Sequence, residues 1–231
     1  MKTPRLALIG AGKMGRAVQR LAEERGWTVA AVLDSKMVPV TKELLAGAQV
    51  AIELSTPNAA PANAIACVKA GIPVVVGTTG WDAERTRVEQ EVLAAGGTML
   101  AAPNFALGMT IFRQLAEQLA RLGAATPGYE PHLVETHHAA KLDAPSGTAR
   151  LVASDASAAF GRDVPVTSIR VGSVPGTHEL ILDGPFEQIR VVHEVRDRRV
   201  FAEGALAAAQ WIVGRKGIFT MSDVMDGGGM R

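Results

Sequence analysis

Residues 135–149 read Glu-Thr-His-His-Ala-Ala-Lys-Leu-Asp-Ala-Pro-Ser-Gly-Thr-Ala and gather most of the reactive side chains of the chain. His137 and His138 are adjacent, and Lys141 follows three and four positions later. Imidazole titrates at about pH 6.5 and suits general acid/base work. A lysine amine stripped of water or flanked by cations gives up its proton near neutrality. Ser146-Gly147-Thr148 reads as a helix entry, whose free N–H groups and hydroxyls suit an anion. The combination fits a small carboxylate-bearing substrate that must receive a proton. On these residues alone a plainer reading stands beside it, of packing histidines before an ordinary helix start. No third ligand stands at a characteristic metal spacing, so no metal is expected.

A second constellation opens the chain. Gly10-Ala11-Gly12-Lys13-Met14-Gly15 separates an apolar run from a helical pattern, and Asp34 lies nineteen positions beyond Gly15. Glycines at this spacing allow a tight turn and close approach of backbone to a pyrophosphate at a helix N-terminus. An acid at the end of the next strand accepts from the adenosine ribose hydroxyls. The expected cofactor is NADH and/or NADPH. Asp34 opposes a 2′-phosphate, whereas Lys36 would attract one, and dual use stays open. Gly77-Thr78-Thr79-Gly80 and Ala102-Pro103-Asn104-Phe105 end two further strands, and open α/β sheets bind ligands at that edge. Their small residues would let a nicotinamide ring approach, with threonine hydroxyls for ribose or carboxamide. His178, Glu179 and His193 read as strand residues. Arg196, Arg198 and Arg199 around Asp197 read as a solvated run, from which one arginine could reach a substrate carboxylate. Trp27, Trp81 and Trp211 read as packing residues, and Cys67 sits in a helix without an activating partner.

Positioning these groups requires a particular order of elements. Strands are expected at 6–9, 28–33, 50–55, 74–76 and 98–102, with helices at 17–25, 59–70 and 84–95. This alternation implies a Rossmann-type, doubly wound parallel sheet with right-handed crossovers. After Asn104 the pattern changes. Helices are expected at 112–122 and 146–160, a loop at 123–131, and strands at 132–135, 168–174, 178–182 and 188–195. Strands without intervening helices favour a mixed or antiparallel sheet, hence a smaller α+β domain. A helix at 203–213 follows, then a polar turn before Ile218-Phe219, and the glycine-rich 226–231 end is expected to fray.

The chain has 231 residues, 24 basic and 23 acidic, for a formal charge of +1. That balance gives no basic stripe for nucleic acid or an anionic membrane. One cysteine among 231 residues excludes an internal disulfide. No apolar stretch approaches the roughly 20 residues of a membrane span, and the first residues lack the apolar core of a signal peptide. The expectation is a cytoplasmic protein with no nucleic-acid or membrane partner.

The run from His137 to Ala149 resembles the signature of the 4-hydroxy-tetrahydrodipicolinate reductase (dihydrodipicolinate reductase) family. The similarity extends over nearly the whole chain, through Gly77-Thr78-Thr79-Gly80, Asn104-Phe105 with Gly108, Arg170-x-Gly172, Gly176-x-His178-Glu179 and Asp223-Val224. The resemblance implies NAD(P)H-dependent reduction of 4-hydroxy-tetrahydrodipicolinate, a cyclic dicarboxylate, in the diaminopimelate route to lysine. It implies a dinucleotide-binding domain from 1–104 and 201–231, and a substrate-binding and oligomerisation domain from 105–200 that joins homotetramers. His137 would be the acid/base group and Lys141 the proton donor. His138, Lys141, Ser146, Gly147, Thr148 and Arg198 would contact substrate. The nucleotide loop is one residue shorter than usual, 35–49 is abbreviated, and Asp197 replaces a common Ser before Arg198. The first two departures bear on cofactor preference. Two rivals are a related NAD(P)-dependent amino-acid dehydrogenase and a non-catalytic dinucleotide sensor, which would need no pairing of His137 with Lys141.

Overall fold

The structure, a computed structural model, describes residues 3–34, 37 and 39–227, so Lys36 and the 228–231 end fall outside the described residues. The chain forms two compact units, one from 1–107 and 199–231 and one from 108–198.

In the first unit a six-stranded sheet runs in the order β10-β5-β4-β3-β1-β2, and every pairing is parallel. The strands are β1 (Leu6–Ile9), β2 (Val29–Leu33), β3 (Val50–Glu53), β4 (Val74–Val76), β5 (Thr98–Ala101) and β10 (Gly217–Phe219). Parallel strands buried on both faces need apolar side chains at successive positions. Leu6 and Leu8 of β1 enter one core with Val50, Ile52, Val75 and Leu100, while Ala7 and Ile9 enter the opposite core with Ala51, Val74, Val76 and Met99. Helices α1 (Lys13–Glu24) and α6 (Arg199–Ile212) cover the first face, with the short α7 (Met221–Asp226). Helices α2 (Ala60–Lys69) and α3 (Asp82–Ala94) cover the second. Among the described residues no helix joins β2 to β3, and Val40, Leu45 and Ala48 of that connection fill the second face instead.

Three differences from the sequence pattern matter. Helix α1 begins at Lys13, not 17, because the glycine loop itself makes its first turn. Helix α6 begins at Arg199, four residues early. The sequence reading left out α7, although Asp223 Oδ2 accepts from the Thr220 N–H at 2.7 Å, a capping signal legible as Thr-x-x-Asp.

The second unit carries a mixed sheet in the order β7-β6-β8-β9. Its strands are β6 (Glu130–His137), β7 (Val166–Arg170), β8 (Thr177–Asp183) and β9 (Gln188–Glu194), with helices α4 (Leu107–Ala124) and α5 (Gly147–Phe160). Strand β7 runs parallel to β6, whereas β8 is antiparallel to both β6 and β9. Strand β6 is longer than expected and ends on His137, while α4 extends through Ala124 and shortens the loop expected at 123–131. Pro131, Leu133, Glu135 and His137 alternate into the buried face of β6. Register aligns Ser168, Glu135, His178 and His193 in one row across all four strands. On the other face Ile169, Val171 and Val192 are exposed.

His178 is only 4% exposed, its Nε2 3.3 Å from Ser146 Oγ and its ring edge-on to His137. Burial drives its pKa down to about 4, and the positive charge of His137 pushes the same way against the Glu135 carboxylate. Unfolding returns the group to about 6.5. Between those values the unfolded chain binds more protons, so the stabilisation is complete above the upper value and drains away as pH falls toward the lower. Urea unfolding followed by circular dichroism should lose about 2 kcal/mol from this group between about pH 7 and pH 5. A flatter profile is expected for His178→Gln, and an unchanged one would remove the histidine as the source.

Candidate active site

The carboxyl ends of the parallel strands bring the glycine-loop constellation together. Strand β1 leads into Gly10, which has φ +106°, and a Cβ there would stand 2.2 Å from the Leu54 carbonyl oxygen at the end of β3. A Cβ on Gly15 would stand 1.9 Å from the Gly10 oxygen. Both positions therefore demand glycine for close backbone approach, at the point where the sheet order reverses between β1 and β3. Gly12 caps α1 without a side-chain acceptor and faces open space. The first-turn N–H groups of Lys13, Met14 and Gly15 lack helical acceptors and so suit an anion. Ala11 is fastened by its carbonyl to Arg16 Nε at 3.0 Å.

Asp34 follows β2 and is exposed. Gly77 follows β4, and the space of its absent Cβ is filled by the Phe105 ring and Leu54. Thr78 Oγ1 is buried without a hydrogen-bond partner among the described residues, while the Thr78 carbonyl accepts from Trp81 Nε1 at 2.7 Å. Thr79 and Pro103 are exposed, Ala102 is buried, and Asn104 Oδ1 accepts from the Ala106 N–H at 2.9 Å. Phe105 is buried and backs the Gly77 turn instead of facing outward. An open glycine cradle and an orphaned hydroxyl on one sheet edge fit a dinucleotide.

The histidine–lysine constellation lies at the end of β6 and the start of α5. His137 closes β6, and the chain then turns, with Lys141 N–H donating to the His138 carbonyl at 3.1 Å. Lys141 Nζ lies 2.7 Å from Asp143 Oδ1, and that hydrogen bond holds the Asp143 carboxyl below its usual range. Ser146 is buried, caps α5 by accepting from the Ala149 N–H at 3.1 Å, and touches His178. Its hydroxyl is thereby committed to the protein. Gly147 is exposed and Thr148 half-buried, and they supply the first two N–H groups of α5. Arg198 lies exposed on the turn before α6 and joins none of these hydrogen bonds or ion pairs.

Glu135, Arg170, Ser168 and His178 were not singled out as site residues by spacing. Glu135 is fully buried, with Oε1 accepting from Arg170 Nη2 at 2.6 Å and from the Ser146 N–H at 3.2 Å. Arg170 Nη2 also donates to the Asp143 carbonyl at 2.6 Å. Burial pushes the Glu135 carboxyl up, but hydrogen bonds from Arg170 and the Ser146 N–H, with the Ser168 hydroxyl nearby, outweigh it and bring it to about 2. His137 Nδ1 lies 2.6 Å from Glu135 Oε2. Burial lowers the His137 pKa, Glu135 opposes that, and Lys141 and Arg170 reinforce it. His137 Nε2 lies over Gly176, where a Cβ would stand 3.1 Å away. Strand pairing thus supplies the third metal-type ligand absent from the linear spacing, since Glu135, His137 and His178 offer atoms within 4.8 Å of one another. Two ligands of a tetrahedral ion stand ~3.3 Å apart, so the 2.6 Å Glu135–His137 contact and the Arg170 pair make the trio part of an ion-pair cluster.

No helix among the described residues is long and apolar enough to cross a membrane. Residues 4–105 match the family profile described as dihydrodipicolinate reductase, N-terminus, and residues 108–225 match its C-terminus counterpart. A protein named 4-hydroxy-tetrahydrodipicolinate reductase from Christiangramia forsetii is 32% identical over 95% of this chain and 97% of its own. One of the same name from Gluconobacter oxydans is 37% identical over 97% and 98%. The dipicolinate-bound dihydrodipicolinate reductase from Paenisporosarcina sp. TG-14 shares the fold, with a TM-score of 0.81, 21% identity and coverage of 94% of this chain and 97% of that one. The chain belongs to the dihydrodipicolinate reductase family of pyridine-nucleotide-dependent oxidoreductases.

Proposed function

We propose that this chain reduces 4-hydroxy-tetrahydrodipicolinate to tetrahydrodipicolinate, in the diaminopimelate route to lysine, with NADH or NADPH as reductant. One observation carries the reading: His137, His138, Lys141, Gly147 and Thr148 share one short turn and helix entry in the second unit. The first unit, as the dinucleotide-binding domain, offers the N–H groups of Gly12, Lys13, Met14 and Gly15 to the pyrophosphate. Asp34 accepts from the adenosine ribose hydroxyls and favours NADH. The Thr78 hydroxyl serves the nicotinamide ribose or carboxamide, with Thr79 and Asn104 beside it.

The second unit binds the cyclic dicarboxylate. Gly147 and Thr148 take one carboxylate on the α5 N-terminus, where the helix dipole adds to the N–H groups. Ser146 holds that entry in shape through its cap. His138 and Lys141 polarise a carboxylate and the ring nitrogen, and Arg198 is a further cation within the same unit. Loss of the 4-hydroxyl together with a proton from the adjacent ring carbon, as water, leaves a conjugated imine in the ring. When bound, a reduced nicotinamide supplies hydride. Electron density then moves toward nitrogen, and the clustered cations neutralise it as it develops. The remaining enamine takes its proton from Lys141 Nζ, with His137 as the supporting acid/base group. Asp143 keeps the ammonium in place until a substrate carboxylate competes for it. The open face of the mixed sheet, with Ile169, Val171 and Val192 exposed, is the surface through which a cytoplasmic homotetramer forms.

A coupled assay of NAD(P)H oxidation with enzymatically generated substrate tests the activity. Lys141→Ala is expected to lower kcat on the order of 10²-fold or more, and undiminished turnover would remove the lysine from the chemistry. Oxidation with other amino-acid substrates but not this one would favour a related dehydrogenase. Asp34→Ala should raise the KM for NADH about tenfold or more, the worth of a hydrogen bond to a charged group, while sparing NADPH. Equal effects on both cofactors would overturn the ribose contact.

A further inference from the structure

Glu135 lies on β6 between Ser168 and His178 in the cross-strand row. It is sealed from solvent in the middle of a sheet, where an ionised carboxylate is costly unless donors surround it. Its two oxygens are used differently. Oε1 is anchored by Arg170 Nη2 at 2.6 Å and the Ser146 N–H at 3.2 Å. Oε2 stands 2.6 Å from His137 Nδ1 as an ion-pair contact that falls short of hydrogen-bond geometry, and neither atom has a hydrogen-bond partner among the described residues. An ionised carboxylate carries only lone pairs, so a neutral imidazole this close must place its proton, not its own lone pair, on Nδ1. Its lone pair is then on Nε2, which lies over Gly176 because that residue has no Cβ to displace it.

Resting on the assignment of His137 as the acid/base group, we propose that Glu135 is its positioning residue. It fixes the ring through Nδ1, selects the tautomer that leaves Nε2 to exchange protons, and stabilises the imidazolium when Nε2 takes one. Arg170 keeps Glu135 in place and spans to the Asp143 carbonyl, so the same contact registers the Lys141 turn. A purely structural carboxylate would tie strands and helix together but would have no bearing on the protonation of His137.

The histidine-labelled, full-length protein gives the first test by nitrogen NMR. Neutral His137 should carry its proton on Nδ1, and a proton on Nε2 would overturn the proposal whatever any variant does. Glu135→Gln should lower kcat about tenfold or more with KM within about twofold. It should also move the His137 titration and the matching limb of the kcat profile to lower pH, since an anion has been removed. Glu135→Asp, which retains the charge, should recover part of both. In a His137→Gln background the added Glu135→Gln change should cost less than about twofold, because both lesions act through one ring. Losses that multiply would mark Glu135 as structural. Full turnover in His137→Gln alone would instead overturn the acid/base assignment, and the catalytic weight of Glu135 with it, even with the tautomer as expected.

Discussion

Burying a carboxylate in a sheet sets a strict condition on everything around it, because each oxygen must meet donors or the charge is lost. In the second unit the charge is held by groups from separate elements. Arg170 comes from β7 and the Ser146 N–H from the entry to α5, both on Oε1, while His137, at the end of β6, stands 2.6 Å from Oε2. Arg170 then reaches the Asp143 carbonyl and so fastens the loop that holds Lys141. Each residue to which chemistry is assigned in this unit, Arg198 apart, sits within a few positions of a group bound to Glu135. A low-dielectric pair of this kind resists rearrangement, since breaking it strands a charge. Precision at His137 and at the α5 entry therefore depends on one carboxylate.

Much of the first unit was legible locally. A run such as Leu6–Ile9, apolar at every position and followed by Gly10, specifies a strand buried on both faces that ends in a tight turn. Gly15 reads as a glycine that backbone contact requires, and the structure gives that contact a length. The connection from β2 to β3 was less clear, because Val40 and Leu45 occupy the place of a crossover helix without helical spacing. Helix limits also shifted, by five residues at the start of α4 and by four at α1 and α6, where glycine or charge runs disguise the first turn.

The second unit was legible only in part, and for a definite reason. The sequence shows His137, His138, Lys141 and the Ser146 cap as neighbours along the chain. Arg170 lies 35 residues from Glu135, and their meeting depends on the parallel register of β6 with β7. His178 reaches the same row only through antiparallel pairing with β6. Register is a long-range property, so a polar residue that appears to break an alternating pattern is uninformative until its cross-strand partners are known. Glu135 looked like the preface to a histidine pair, whereas it lies at the centre of the row.

The unsatisfied hydroxyl of Thr78 has a thermodynamic corollary at the other constellation. Most polar side chains must shed water before they can greet a ligand, and that exchange cancels most of the bond formed. Thr78 Oγ1 is buried and meets no protein partner among the described residues. An acceptor arriving there would have less solvation to displace than at an exposed hydroxyl, and an analogue lacking that atom would forfeit the bond. Under the proposed cofactor contact, this one threonine would discriminate among nucleotides more sharply than an exposed hydroxyl in the same place.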